Sequence, residues 1–279
     1  MAYLLAIASA ALYGAADFLG GMGSRRASTI AVVVTAQGSG LCALLLILPL
    51  LPHASPSTPD IVWGSTAGLA GGVGVALLYR ALGIGRMAVV APTTAVCAVA
   101  IPAIAGVLAG ERLAPLTTIG VGLALTAIVL VSREGVASGD GASRSGLLPP
   151  GVWLALASGV AIGFFFLALA RSGTTAGMWP LVAARASSVM LFGILALGSS
   201  QWRLAAPVFR IATAAGVIDM CANALYLVAS RHGPLSVVVT LSSLYPASTV
   251  LLARVVLGER LNTWQVAGVA CALVAITCI

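Results

Sequence analysis

Long apolar runs, broken by short polar stretches, constrain this chain more than any other feature. From Ala2 onward, run after run reaches about 20 mainly apolar residues, the length a helix needs to cross the hydrocarbon core of a bilayer. Only 8% of the 279 residues are charged, 60% are hydrophobic, and the mean hydropathy is +1.11. A soluble domain carries about 25% charged residues, so a soluble fold is excluded. The expected class is an all-α, multi-pass membrane protein with the lipid bilayer as its first partner.

The pattern predicts ten transmembrane helices, over about 2–21, 28–51, 61–82, 86–109, 115–132, 151–170, 176–199, 207–229, 234–257 and 262–279. The first lacks a basic leader and has a long apolar part, so it reads as a spanning helix and not a signal peptide. The loop 52–60, with three prolines and Asp60, is a clear break. The longest polar stretch, 133–149, holds Arg133, Glu134, Asp140 and Arg144. It reads as a linker between two halves, 1–132 and 150–279.

The halves repeat one another. At a shift of 148 residues Glu111 meets Glu259, Arg112 meets Arg260, Gly120 meets Gly268 and Gln37 meets Arg185. Tyr79 meets Tyr226 one residue off. Two consecutive copies of a five-helix unit must enter the membrane from opposite sides, because five is odd. The expectation is therefore an inverted repeat, with a substrate site where the halves meet near the midplane.

The net charge of +7 is carried by arginine alone and is scattered over short loops. That distribution sets membrane topology. It lacks the clustered stripe that phosphate tracking needs, so no nucleic-acid partner is expected. Arginine without lysine in an Ala/Gly/Val-rich chain is the usage of a GC-rich genome, and a bacterial inner (plasma) membrane is the expected location. Cys42, Cys97, Cys221, Cys271 and Cys278 lie in apolar runs without CxxC spacing and read as small buried hydrophobes. Gly64, Gly68 and Gly72, four apart, give the third helix a face for close packing.

Gly110-Glu111-Arg112-Leu113 and Gly258-Glu259-Arg260-Leu261 stand before the last helix of each half. With five helices per half, they resemble the drug/metabolite transporter superfamily and, more narrowly, its EamA-type family. Tyr245-Pro246 matches the family's Ser/Pro element, and Cys97-Ala98 stand there in the first half. Tyr13-Gly14, followed by Asp17-Phe18, takes the place of the family's Trp-Gly start. Gln37 replaces the family's arginine in the second helix, and Arg185 keeps it in the seventh. The resemblance implies a transporter that exports a small metabolite or drug-like solute.

Ionisable groups inside the hydrocarbon core cost at least about 2.5–3.5 kcal/mol and need a partner, a wet cavity or a function. Asp17 shares a helix face with Ser9 and Tyr13. A carboxyl there can carry a proton or bind a cationic group, and a structural ion pair is the alternative. Asp219, Asn223 and Tyr226 follow at i, i+4 and i+7, the best candidate cavity wall. Asp219 is also read as close enough to its helix start to gain from the helix dipole. Arg185 keeps its proton and should meet a carboxylate or an anionic substrate. Arg254 lies near the membrane edge and can snorkel. Tyr79, Ser242 and Tyr245 complete the candidate substrate site. The helices expected to line it are the first, third, fourth, sixth, eighth and ninth. Thr93, Thr94 and Ser243 could also bond a substrate, although Ser and Thr in membrane helices more often bond backbone. Glu111-Arg112 and Glu259-Arg260 are expected to form local ion pairs or helix caps.

Enzyme chemistry fits poorly. No His-Glu-x-x-His helix is present, and His53 and His232 fall in loops. Gly139-Asp140-Gly141 lies in the linker, and Gly71-Gly72-Val73-Gly74 has no strand before it. No catalytic residue, metal or cofactor is expected, and nothing calls for more than a monomer. The readings from other classes are a non-transporting scaffold or sensor subunit and a lipid-linked substrate flippase. Most arginines lie by odd-numbered loops, which places those loops in the cytoplasm, whereas the resemblance implies cytoplasmic termini. A reporter fused to the C-terminus decides between the two.

Overall fold

The computed structural model describes residues 1–108, 115–132, 151–198, 203–232, 238, 241–242 and 244–278. Glu111, Arg112, Ser243 and the linker 133–149 lie outside them. The described helices are α1 (Ala2–Ser24), α2 (Thr29–Ile47), α3 (Thr58–Ile84), α4 (Met87–Leu108) and α5 (Pro115–Ser132), then α6 (Val152–Leu169), α7 (Trp179–Gly198), α8 (Ala206–His232), α9 (Tyr245–Leu257) and α10 (Thr263–Cys278). Short 3-10 turns follow α2 at Leu48–Leu50 and precede α7 at Thr174–Ala176. Among the described residues, six stretches are long and apolar enough to cross a membrane: α1, α3, α6, α7, Thr29–Leu50 and Ala206–Tyr226. Leu46, Leu197 and Val255 are 78%, 77% and 73% exposed. Large apolar side chains this open need lipid around them. Cys42 and Cys221 are exposed on the same surface instead of buried as expected.

One helix start differs from the expectation. α3 begins at Thr58 because Pro59 suits a first turn. The Asp60 carboxylate accepts from the Ser57 N–H (2.8 Å) and hydroxyl (2.6 Å), and from the Gly173 N–H across the bundle end (2.6 Å). The start expected at 234 lies outside the described residues; within that helix Val238, Leu241 and Ser242 are helical, Leu244 is a turn and the helix resumes at Tyr245. Pro246, in its first turn, has no N–H to continue the ladder, and Leu244 and Ala247 make i to i−3 bonds around it.

The halves interlock. α1 packs on α8 and α9, and α6 packs on α3 and α4; α2 lies on α7 and α8, and α7 lies on α2 and α3. α4 meets α9, and α5 meets α10. Each contact between halves in this set has its counterpart with the halves exchanged, or is its own counterpart. Hydrogen bonds repeat the pattern. Ser9 donates to the Ala222 carbonyl (2.8 Å) and Ser158 to that of Gly74 (2.7 Å). Ser242 donates to Ala6 (3.4 Å) and Thr94 to Ala155 (3.2 Å).

Close approach depends on small residues. A methyl on Gly64, Gly68 or Gly72 would overlap Pro180, Ala184 or Ser188 in turn, so the glycine ladder of α3 seats α7. Gly216 of α8 lies against the backbone of Ala36 in α2. These two seams bring α2, α7 and α8 together.

At one end of the bundle a clasp joins three connections. Arg25 donates to the carbonyls of Leu82 (3.2 Å) and Gly85 (3.0 Å) and to Glu259 Oε1 (3.1 Å). Glu259 also accepts from the N–H groups of Met87 and Ala88, both at 3.1 Å, and so caps the start of α4. Glu259 is thus a cap, but for a helix of the other half, and its ion pair is with Arg25. Among the described residues the expected local pair with Arg260 is not formed, and Arg260 is exposed. Nearby, Arg86 donates to Gln265 Oε1 (2.8 Å).

Candidate functional site

α8 carries Asp219 near its middle and Asn223 one turn further on. The helix dipole, strongest in the end turns, therefore does little for Asp219, contrary to the expectation. Its charge is met by Arg185 of α7, whose Nη2 donates to Asp219 Oδ2. Nη1 of the same guanidinium donates to Gln37 Oε1 of α2. Asn223 Nδ2 donates to the Asp219 carbonyl (2.8 Å) and to Oδ2 (3.3 Å). The forked guanidinium serves two helices at once, and Gly40 of α2 lies beside it, where a methyl would stand 3.7 Å from Nη1. Side-chain exposures of 15% for Arg185 and 25% for Asp219 leave the pair partly open. Removing one partner of such a pair strands the other charge.

Asp17 of α1 is half-buried. Tyr13 stands one turn before it on the same helix face and Gly20 three residues after it; the Tyr79 ring of α3 lies against Gly20, and the Tyr245 ring of α9 meets Tyr13. Asp17 therefore shares the α1 face that meets α3 and α9. Among the described residues it makes no hydrogen bond and no ion pair. Arg185, a candidate counter-ion, is paired with Asp219 instead.

The tyrosines surround this acid. Tyr13 and Tyr245 meet edge to face with centroids 6.3 Å apart. Tyr79 lies across Gly20, where a methyl would overlap its ring. Tyr226 packs beside Ala6, Ala229 and Val238 at one edge. Ser242 is buried and spent on the Ala6 carbonyl, so it belongs to the α1 packing. Thr93 bonds the carbonyl of Val89 and Thr94 that of Ala155. Arg254 is exposed in the last turn of α9.

The structure thus draws Tyr13, Asp17, Tyr79, Arg185, Asp219, Asn223, Tyr226 and Tyr245 into one region. They come from α1, α3, α7, α8 and α9; of the helices expected to line the site, α4 and α6 supply none of these residues. Gln37 is the partner that the sequence reading left out. Its signal was present, since it stands 148 residues before Arg185, the offset between the halves. A groove lined by Pro49, Pro52, His53, Met178 and Trp179 lies at the end of the bundle, apart from this region.

Comparison with known proteins bears on the region as a whole. A family model described as "EamA-like transporter family" matches residues 1–133 and again 149–279. A solved chain, described as "Crystal structure of protein", is 17% identical and superposes with a TM-score of 0.59. The alignment covers 99% of this chain and 95% of that one, a likeness of fold. No curated protein gives a significant match.

Proposed function

We propose, from the premise that this chain belongs to the EamA-like transporter family, that it moves a small metabolite or drug-like solute by alternating access around the region of Asp17, Arg185 and Asp219. The chain is a multi-pass membrane protein and a transporter of the drug/metabolite superfamily. The finer reading rests on one observation. Arg185 and Asp219 stand in the middle of apolar helices, partly exposed, at the junction of the two halves. Purely structural charges would be sealed by packing and fully paired, yet Asp17 is half-buried and has no partner among the described residues.

The arrangement of the halves favours alternating access. The reciprocal packing and the paired bonds of Ser9 with Ser158 and of Ser242 with Thr94 are those of two copies related by an approximate two-fold axis. Gln37 touches Arg185, its own equivalent, and only residues beside such an axis can do that. In an inverted repeat the axis lies in the membrane plane and passes through the substrate site. Ten spanning helices as two inverted sets of five fit this placement.

Export, driven by a proton exchanged at Asp17, is the proposed direction. The test is flux in proteoliposomes under an imposed pH gradient. Wild type should accumulate solute, and Asp17→Asn should lose the response to the gradient. Gradient-driven flux that is equal in both proteins refutes the role of Asp17. Absence of flux for every solute class tried favours a scaffold.

A further inference from the structure

We infer that the interior region takes an organic cation whose charge sits on a protonated amine, held by Asp17 among the rings of Tyr13, Tyr79 and Tyr245. This rests on the transporter reading above and names its substrate class.

Charge accounting comes first. Arg185 is spent: one nitrogen serves Gln37 and another serves Asp219. An anionic substrate would have to displace a carboxylate already in place. Asp17 remains, with no counter-ion among the described residues. Asp17 and Asp219 against Arg185 leave one net negative charge. Water-poor surroundings make an uncompensated charge costly, and a monocation cancels it.

The polar atoms around Asp17 give the second argument. The hydroxyls of Tyr13, Tyr79 and Tyr245 have no hydrogen-bond partner among the described residues. Tyr79 is only 4% exposed, yet its hydroxyl is unspent among those residues. Two carboxylate oxygens and three phenolic oxygens can all accept hydrogen bonds. A protonated amine supplies N–H donors to match them. A quaternary ammonium has none and leaves these acceptors unmet. The ring faces attract a cation as well, and the same rings make an apolar wall for the rest of the molecule.

The repeat gives the third. At the offset that relates Ser9 to Ser158 and Ala6 to Ala155, Asp17 corresponds to Phe166. At the offset of 148, Asp219 corresponds to Gly71, which Phe165 covers. The equivalent place in the other half is therefore apolar and carries no charge. The acid of α1 is a departure from the repeat and not a product of it.

The test is calorimetric titration of the purified protein in lipid nanodiscs at one pH. The probes are phenethylammonium, its N,N,N-trimethyl analogue and 3-phenylpropionate. Phenethylammonium should bind, the trimethyl analogue at least tenfold more weakly, and 3-phenylpropionate not at all. Asp17→Asn should weaken phenethylammonium at least tenfold, Asp17→Glu should retain it, and Tyr79→Phe should cost about threefold. Binding of 3-phenylpropionate in preference to the amine overturns the inference, as does amine affinity that is equal in wild type and a folded Asp17→Asn protein. Where Asp17→Asn fails to fold, Tyr79→Phe decides: an unchanged affinity overturns the inference and a loss supports it. Flux measured alongside separates the two readings. Amine binding without flux refutes transport and leaves the site. Flux of a neutral or anionic solute without amine binding refutes the site and leaves transport.

Discussion

Replacing Glu259 by alanine removes the Arg25 ion pair and both acceptors at the start of α4. The Glu259 side chain is 10% exposed and that of Arg25 is 30% exposed. Loss of a side-chain cap costs about 0.5–2 kcal/mol, and hydrogen bonds to a charged group are worth about 1.5–3 kcal/mol. The partly open ion pair adds about 0–1 kcal/mol. These terms overlap, and about 2–4 kcal/mol is expected in all. At about 2–4 °C per kcal/mol that is a fall of roughly 4–16 °C in Tm, read as thermal unfolding of the purified protein in detergent. Glu259→Gln keeps one acceptor oxygen and should lose about half as much. Arg25→Ala leaves the cap of α4 intact and should cost about 1–2 kcal/mol. Arg260→Ala should melt within about 1 °C of wild type, because the exposed arginine takes no part in the clasp. The reasoning fails if Glu259→Ala melts like wild type. It fails equally if Arg260→Ala costs as much as Arg25→Ala, for then the pair is local after all.

Gln37→Arg should be the most damaging exchange in α2: it replaces the acceptor for Arg185 with a second guanidinium, a repulsion of about 4 kcal/mol at 4 Å in an effective dielectric of 20. Gln37→Leu removes only the acceptor and should cost about 1–3 kcal/mol; a melting series that ranks the two the other way contradicts the placement. Gly68→Leu drives a side chain into the backbone of Ala184. It should exceed the roughly 1–3 kcal/mol of ordinary overpacking and appear as aggregation on size-exclusion chromatography, whereas a monodisperse, wild-type-like peak counts against the α3–α7 seam. Ser9→Ala and Ser158→Ala should each cost about 1 kcal/mol and match one another in chemical denaturation; a large inequality argues against the equivalence of the halves.

Much of this architecture was legible from the apolar runs, because lipid leaves a backbone little choice but the helix. The glycine ladder at Gly64, Gly68 and Gly72 could be read as a packing face. Its partner could not, since nothing local to α3 encodes Pro180, Ala184 and Ser188. Arg185 could be assigned a carboxylate from charge alone, and Asp219 was among the candidates. The choice of Asp219 over Asp17 is set by helix packing and has no sequence signal. Asn223 followed from i, i+4 spacing, and it does bond Asp219. Glu259 was misread because its arginine neighbour is one residue away, whereas its actual partner is 234 residues away. A polar turn between two helices is read locally by default, but here both ends of its network belong to the other half. The break before Tyr245 was legible in Pro246 and was passed over because the surrounding run is uniformly apolar.

The contact between Gln37 and Arg185 has an evolutionary consequence. In a homodimer, a residue on the dimer axis meets its own copy. Arginine would face arginine and glutamine would face glutamine, and a donor matched to a different acceptor is unattainable there while one gene encodes both subunits. Joining two copies into a single chain lifts that restriction, since each copy can then mutate by itself. The guanidinium of one half answered by the amide oxygen of the other is a pairing open only to a chain whose two halves differ in sequence.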